Sequence, residues 1–165
     1  MAFDAFLKID GIDGESTDDK HSKWIEILSF SHGVSQPSAG SRSSGGAATG
    51  QRSDHSDFSV VKTLDKASPL LNLHCCDGKH LKEVKLELCR ATGDKAKYME
   101  YKMDDVIISG VRPGGSSQGG EPLPLEEVSF NYGKITWTYV ETDHKTGKSG
   151  GNVSKNWDLF KNKGG

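Results

Sequence analysis

The sequence is short of cysteine, of net charge and of long apolar runs, and each shortage excludes a class of protein. Its 165 residues include three cysteines, too few for the disulfide framework of a small secreted domain. The formal net charge is −2, so no positive field attracts nucleic acid or an anionic membrane. No segment approaches the roughly 18 apolar residues of a membrane-spanning helix. We therefore expect neither nucleic acid nor a membrane as a partner.

The start of the chain bears on which export routes are open to the protein. The opening residues MAFDAFLKIDG have neither the basic n-region nor the apolar h-region of a signal peptide. The adjacent Cys75 and Cys76 fit a chain that folds in a reducing cytoplasm. If the protein leaves the cell, we expect a route other than general secretion.

One short helix is predicted, over residues 69–76. Residues recur there at three- and four-residue spacings that place them on one side of a helix: Leu70, Leu71, Leu73, His74 and Cys75. Asp65 or Ser68 can cap its start, Pro69 suits the first helical position, and Gly78 suits the end. The flanking segments alternate apolar and polar residues, which predicts strand, helix, strand.

The rest of the chain has the two-residue period of strands, from residues 2–10 to a last strand near Trp157. Phe6 is the one apolar residue on the polar side of the first strand. In two long strands the apolar phase slips, near Asp105 and at Gly133, which predicts bulges or bends of the kind that curve a sheet into a barrel. We predict one domain, residues 1–165, forming a mainly β barrel of about seven strands.

The second predicted strand, residues 23–35, has two unlike faces. One is apolar and contains Trp24, Leu28, Phe30 and Val34. The other becomes small and polar at its end, where it contains Ser29, Ser31 and Gly33. Such a face is either a contact surface of unusual chemistry or a face that packs beneath a neighbouring strand.

A stretch rich in glycine and serine, residues 36–56, interrupts the pattern. About twenty residues without periodicity form either a flexible solvent loop or a functional one. This is the longest such segment that the sequence predicts.

Motifs for catalysis or metal binding are not found. The set of His74, Cys75, Cys76 and His80 has zinc-ligand chemistry, but its spacing fits no common zinc site. HKTGKSG lacks the first glycine of a phosphate loop. No nucleophile elbow, metalloprotease or dinucleotide motif is present. We therefore expect no enzyme activity, no cofactor and no metal.

Several blocks resemble the haemolysin-coregulated (Hcp) proteins, the tube proteins of bacterial type VI secretion. They are FLKIDGIDGES, WIEILSFSHGVSQP, SVVKTLDKASPLL with CCDGKH, MDDVIISGV, PLEEVSFNYGKITWTY and GGNVSKNWDL. They cover nearly the whole chain in order, and the departures lie in loops, notably residues 39–50.

The resemblance implies a two-sheet β-barrel with one flanking helix. It also implies six-membered rings that stack into a tube, contact sheath and spike proteins, and hold small effector proteins in the lumen. The protein would be cytoplasmic until firing exports it. On that basis Ser29, Ser31 and Gly33 are candidates for the lumen. The candidates for ring-to-ring contact are Gly40, Arg42, Ser43, Gly46, Gly50 and Arg52, and the helix is expected on the outer wall.

Two other functions stay open at this stage. A monomeric barrel that binds a small ligand predicts an apolar internal cavity. A hydrolase that uses scattered histidine and aspartate residues predicts turnover that one substitution abolishes.

Overall fold

A computed structural model describes residues 3–37, 52–91, 93, 95–120, 123–143, 146 and 149–165. The described chain contains eleven strands and one helix, in this order: β1 Phe3–Ile9, β2 Ile25–Ile27, β3 Ser29–Ser31, β4 Val34–Ser35, β5 Asp54–His55, β6 Phe58–Thr63, α1 Ser68–Asp77, β7 Leu81–Arg90, β8 Lys97–Gly114, β9 Leu125–Thr142, β10 Ser149–Asp158 and β11 Lys163–Gly164. Among these residues no helix is long and apolar enough to cross a bilayer.

The strands form one nine-stranded sheet and the two-stranded ribbon β4–β5. The large sheet runs β11-β10-β9-β8-β7-β1-β2, and β9 also pairs with β6, which pairs with β3. Its two ends meet at Leu28, between β2 and β3. The barrel is joined there by the chain itself and is not closed by strand pairing. The predicted class is confirmed: mainly β, with two sheets and one short helix.

The number of strands differs from the prediction because residues 23–35 form three short strands instead of one, and because the short strands β5 and β11 were not predicted. Ile25 and Ile27 are buried, whereas Leu28 is 58% exposed and Val34 is 48% exposed. The prediction of a continuous apolar face is therefore wrong for most of the segment, because two of its four residues are exposed. At Leu28 the chain changes partner from β1 to β6, and the Leu28 amide donates to the Val61 carbonyl at 2.8 Å. The break shifts the alternation by one residue, so Phe30 and His32 turn inward after it.

The two predicted phase slips lie opposite each other in the β8–β9 hairpin. Asp104 pairs with Lys134 and Val106 with Tyr132, which places Asp105 across from Gly133 without a register shift. Asp105 has a φ of 54°, so the strands bend together at this point. The register shift lies at Ser109 instead, between the pairs of Ile108 and Gly110. Gly133 also leaves room for a ring, because a β-carbon there would lie 2.2 Å from Phe160 Cε2.

Large apolar side chains fill the barrel. Phe58, Phe130, Met103, Leu86 and Ile135 are each 0% exposed. Complete burial of such side chains stabilises the fold by about 1.5–3 kcal/mol each. The interior is therefore a packed core.

Helix α1 extends one residue further at each end than predicted. It ends at Gly78, whose φ of 65° is the left-handed conformation expected there. Ser68 does not cap it; the Ser68 hydroxyl is buried and donates to Glu126 Oε2 at 2.8 Å. Only Ser68 and Leu71 are buried, while Leu70 and Leu73 are 38% and 54% exposed. The helix touches the barrel along a narrow strip, so the predicted apolar side is only partly covered.

A buried ion pair lies under the start of α1. Lys62 on β6 and Glu126 on β9 are cross-strand partners, both 0% exposed, with Nζ 2.6 Å from Oε2. Asp65 Oδ1 lies 3.0 Å from the same ammonium group. Glu126 Oε1 is buried without a hydrogen-bond partner. The pair joins two strands and, through Ser68, the helix.

Phe6, the apolar exception in β1, is buried on the outer side of the sheet. Residues 10–24 fold back across β1 and β7, and the His21 ring stacks on the Phe6 ring at 4.2 Å between centroids. Phe6 is 6% exposed. The exception marks a second, small packing layer outside the barrel.

Candidate functional site

A row of small polar residues crosses the outer face of four neighbouring strands. Ser31 on β3 pairs with Ser59 on β6, which pairs with Ser129 on β9, which pairs with Gly110 on β8. Ser29 and Ser31 are exposed. Phe58, Phe130 and their neighbours occupy the opposite, buried face of these strands. The structure thus joins two predicted residues, Ser29 and Ser31, to three that the sequence pattern did not single out. We call this row, with Ser29, the serine face.

Hydrogen bonds connect the serine face across its strands. The Ser59 and Ser129 hydroxyls lie 3.2 Å apart. At its edge, Asp57 accepts from Ser109 at 2.7 Å and from Asn131 at 3.2 Å. These hydrogen bonds use part of the donor and acceptor capacity of the polar side chains. Less of that capacity is left for contacts with another protein.

Gly33, the third predicted residue, lies beyond the end of β3. Its carbonyl accepts from the Ser56 amide at 2.9 Å and from the Ser56 hydroxyl at 3.1 Å. It belongs to the turn that leads into the β4–β5 ribbon. It borders the serine face without being part of its strand row.

The outer face of β7 and β8 has a different chemistry. Six alternating charges form ion pairs there, the shortest between Lys97 and Glu100 at 2.7 Å: Glu83, Lys85, Glu87, Lys97, Glu100 and Lys102. We call this surface the charge ladder. The outer side of the sheet thus has two different surfaces. The serine face has an uncharged row of hydroxyl groups and a glycine, whereas the charge ladder consists of charged side chains.

Most residues predicted for ring-to-ring contact lie outside the described residues: Gly40, Arg42, Ser43, Gly46 and Gly50. Arg52 is described, and its Nη2 donates to the Leu159 carbonyl at 3.0 Å. The ribbon joins the two ends of this segment, with Val34 opposite His55 and Ser35 opposite Asp54. The predicted flexible loop of residues 36–56 therefore includes one short strand, and its base is fixed to the barrel.

An aromatic cluster lies beneath the ribbon, and the sequence pattern did not predict it. The His32 ring contacts Phe58, Tyr101, Tyr132 and Trp137. Both of its ring nitrogens are buried without a partner. Burial, and secondarily the nearby His55, lowers the pKa of His32, so the ring packs as a neutral, largely apolar group.

The histidines do not form a hydrolytic centre in the described part of the chain. His55 Nδ1 bonds the Tyr132 hydroxyl at 2.7 Å, and burial raises the pKa of that phenol. His21 lies 3.9 Å from the Cys89 sulfur, but burial, with the charge of Glu87, raises the pKa of Cys89 to about 11. A buried thiol of that pKa is a poor nucleophile at neutral pH.

The zinc-like set in and after α1 also does not converge. His74 pairs with Asp77 at 3.3 Å, His80 pairs with Asp105 at 3.2 Å, and Cys76 is exposed. Among the described residues, a group of potential metal ligands with atoms within 4.8 Å of one another does exist elsewhere, but it contains none of these four residues.

The sheet extends beyond the barrel at one end and leaves part of its apolar face bare. Ala5, Leu88, Met99, Tyr139 and Val153 are successive cross-strand partners. Along this row exposure rises from 4% at Ala5 and 6% at Leu88 to 49% at Tyr139 and 60% at Val153. Nothing in the described chain covers the far end, which we call the apolar extension.

Comparison with known proteins identifies the family. The family model described as "Type VI secretion system effector, Hcp" matches residues 6–139. The chain belongs to the Hcp family. It is 34% identical to the protein hcp1 of Pseudomonas aeruginosa, over 98% of each chain, and 31% identical to the major exported protein of the same organism, over 76% of this chain and 74% of that one.

Solved structures agree with the sequence comparison. A structure described as a type six secretion system protein superposes with a TM-score of 0.92 at 36% identity, covering 99% of this chain and 100% of that one. The crystal structure of Hcp1 from Salmonella typhimurium superposes with a TM-score of 0.81 at 34% identity, covering 99% of each chain. The Hcp resemblance of the sequence blocks is therefore confirmed, and the likeness covers nearly the whole chain.

Proposed function

We propose that this Hcp protein is the ring subunit of a type VI secretion tube. Its likeness to Hcp proteins over nearly the full length, including a solved Hcp1 structure at a TM-score of 0.81, supports this most strongly. In this function six copies close into a ring, rings stack into a tube, and sheath and spike proteins contact it. The protein stays in the cytoplasm until the tube is fired and is then exported by type VI secretion. The name of one relative, major exported protein, fits such export.

The serine face is proposed to line the lumen of the ring. A lumen that carries effector proteins and then releases them needs a surface with few apolar groups and few unpaired charges. Ser31, Ser59 and Ser129 supply short hydroxyls, two of which are bonded to each other. The charge ladder would bind many proteins by ion pairing and is less suited to release.

Substituting Ser31 by glutamine tests the lumen assignment. We expect rings to form as before, because Ser31 is exposed, and effector retention to fall several-fold, because a long amide narrows the lumen and alters its hydrogen bonding. Retention is measured by co-purification of an effector with the ring. Lys102→Gln on the charge ladder is the control and should leave retention unchanged. Unchanged retention in intact Ser31→Gln rings would show that this face does not contact cargo.

The segment of residues 36–56 is proposed to make the contact between stacked rings. Its base is fixed by the ribbon and by the bond of Arg52 to Leu159, so a contact made by the segment is transmitted to the barrel. Shortening residues 40–50 to a four-residue linker is expected to reduce tube length seen by electron microscopy while single rings persist. Tubes of normal length would contradict this assignment.

The apolar extension is proposed as the contact between neighbouring subunits of one ring. It is the uncovered end of a row whose other end is core, and burying it against another copy removes apolar surface from water at about 25 cal/mol per Å². The native mass of the purified protein tests the ring directly. A mass of six subunits supports it, and a monomer at all concentrations would contradict it.

The ligand-binding barrel is less well supported, because the positions that face inward are filled by large side chains such as Phe58 and Phe130.

A further inference from the structure

Three potential metal ligands converge on the outer side of β7. Glu87 and Cys89 are two residues apart on one face of this strand, and the segment of residues 10–24 places His21 above them. His21 is 4% exposed and Cys89 is 0% exposed, while the Glu87 side chain is 13% exposed. The three ligand atoms all lie within 4.8 Å of one another. The arrangement lies among buried side chains yet remains close to the surface at Glu87.

The imidazole of His21 is held in place from several directions. Its ring stacks on Phe6 at 4.2 Å and meets the edge of Trp24 at 4.7 Å. Backbone bonds from His21 N to Asp18 O at 3.2 Å and from Trp24 N to His21 O at 3.1 Å fix the turn that carries it. A ligand that is preorganised in this way loses little conformational entropy when it binds an ion.

The distances suit a tetrahedral ion after a small movement. His21 Nε2 lies 3.9 Å from Cys89 Sγ and 2.6 Å from Glu87 Oε2. With zinc–ligand bonds of about 2.0–2.3 Å, tetrahedral geometry separates ligand atoms by roughly 3.3–3.6 Å. The sulfur is therefore close to its required position. The carboxylate must withdraw by about 0.7 Å, which a rotation of the Glu87 side chain provides.

A fourth residue, Asp18, contacts the His21 ring on the side opposite Glu87 and Cys89. Asp18 Oδ2 lies 2.8 Å from His21 Nδ1, the ring nitrogen that faces away from Glu87 and Cys89. A histidine that binds zinc through one nitrogen usually donates the other N–H to a carboxylate, which fixes the ring and its tautomer. Asp18 is placed to accept that bond.

We propose that His21, Glu87 and Cys89 bind a zinc ion, with Asp18 as the positioning residue. Imidazole, thiolate and carboxylate together favour zinc over magnesium or calcium, which bind oxygen ligands. Three protein ligands leave one position for water. Binding displaces the thiol proton and the proton between His21 and Glu87, so the local net charge does not change. The ion joins the segment of residues 10–24 to β7, on the charge-ladder side of the wall. The site does not depend on the proposed tube function.

Cobalt is the probe, because a Co²⁺–thiolate bond absorbs in the near ultraviolet. The full chain is used with Cys75→Ser and Cys76→Ser, so that Cys89 is its remaining thiol. After EDTA treatment we expect one Co²⁺ per chain, with the thiolate band, and displacement of the band by one equivalent of Zn²⁺. Cys89→Ser should abolish the band. His21→Gln and Glu87→Gln should weaken binding at least tenfold, and Asp18→Asn about 10- to 100-fold.

His80→Gln is the matched control, because His80 also pairs with a carboxylate but is 70% exposed and lies just before the start of β7, outside the proposed ligand set. Its Co²⁺ affinity should equal that of the parent. Absence of the band in the parent, or its survival in folded Cys89→Ser, would overturn the proposal. If Cys89→Ser fails to fold, alkylation of Cys89 in the parent decides the matter. Zn²⁺ should slow the reaction at least tenfold in mild denaturant, and equal rates with and without Zn²⁺ would contradict the site.

Discussion

Replacing Val153 with aspartate is expected to convert the proposed rings into monomers. Val153 is 60% exposed at the far end of a row that is core at its other end. A carboxylate there would be buried against the neighbouring copy without a partner, and a central interface residue of this kind costs about 2 kcal/mol or more at each contact. A closed ring repeats the loss at every interface. Native mass spectrometry at micromolar concentration measures the result.

Leu73→Asp provides the matched control. Leu73 is 54% exposed on α1, so the substitution makes the same change of chemistry at a similar exposure on another surface. Its native mass should equal that of the unsubstituted chain. If Val153→Asp still forms rings of normal mass, the apolar extension is not the contact between subunits.

Replacing Lys62 with methionine is expected to destabilise the fold strongly. Both members of its pair with Glu126 are 0% exposed, and Glu126 Oε1 has no hydrogen-bond partner. Removing the ammonium group leaves a buried carboxylate with Ser68 as its remaining donor, and breaking a buried pair in this way costs about 3–5 kcal/mol. Urea unfolding at one fixed protein concentration measures the free energy.

Two comparisons isolate the buried charge as the cause. Lys102→Met makes the same substitution at a 39% exposed lysine that lies 3.8 Å from Glu83, where a surface ion pair is worth about 0–1 kcal/mol. The double variant Lys62→Met/Glu126→Leu removes both charges and should recover most of the loss, because replacing a buried pair by apolar side chains is often neutral. A loss below about 1 kcal/mol in Lys62→Met would show that Glu126 finds other compensation.

The sequence alone predicted the class of fold because it depends on local features of the chain. These are the alternation of apolar and polar residues in strands and the residues that end a helix or bend a strand. The two-residue period marked the strands, and Gly78 marked the end of the helix. The phase slips near Asp105 and at Gly133 marked the bend of the β8–β9 hairpin. The blocks that resemble Hcp proteins, and their order along the chain, also predicted the family, which the comparisons confirmed.

The direction in which each residue faces was less predictable. Alternation separates two faces without saying which one is inside, and a single break exchanges them. Leu28 shows this most clearly, because it looked like part of an apolar face but lies where the chain passes from β1 to β6. Phe6 shows the converse, since its position on the polar side is explained only by the segment that folds over it.

The sequence by itself determined that this chain is a mainly β Hcp protein with one short helix and one long glycine- and serine-rich segment. Tertiary structure decided which side chains meet. It placed Ser59 and Ser129 beside Ser31, Lys62 opposite Glu126, and His21 above Glu87 and Cys89. These partners are tens of residues apart, and their contact depends on strand pairing and register. Those are properties of the folded sheet, whereas a local pattern specifies only the strands that enter it.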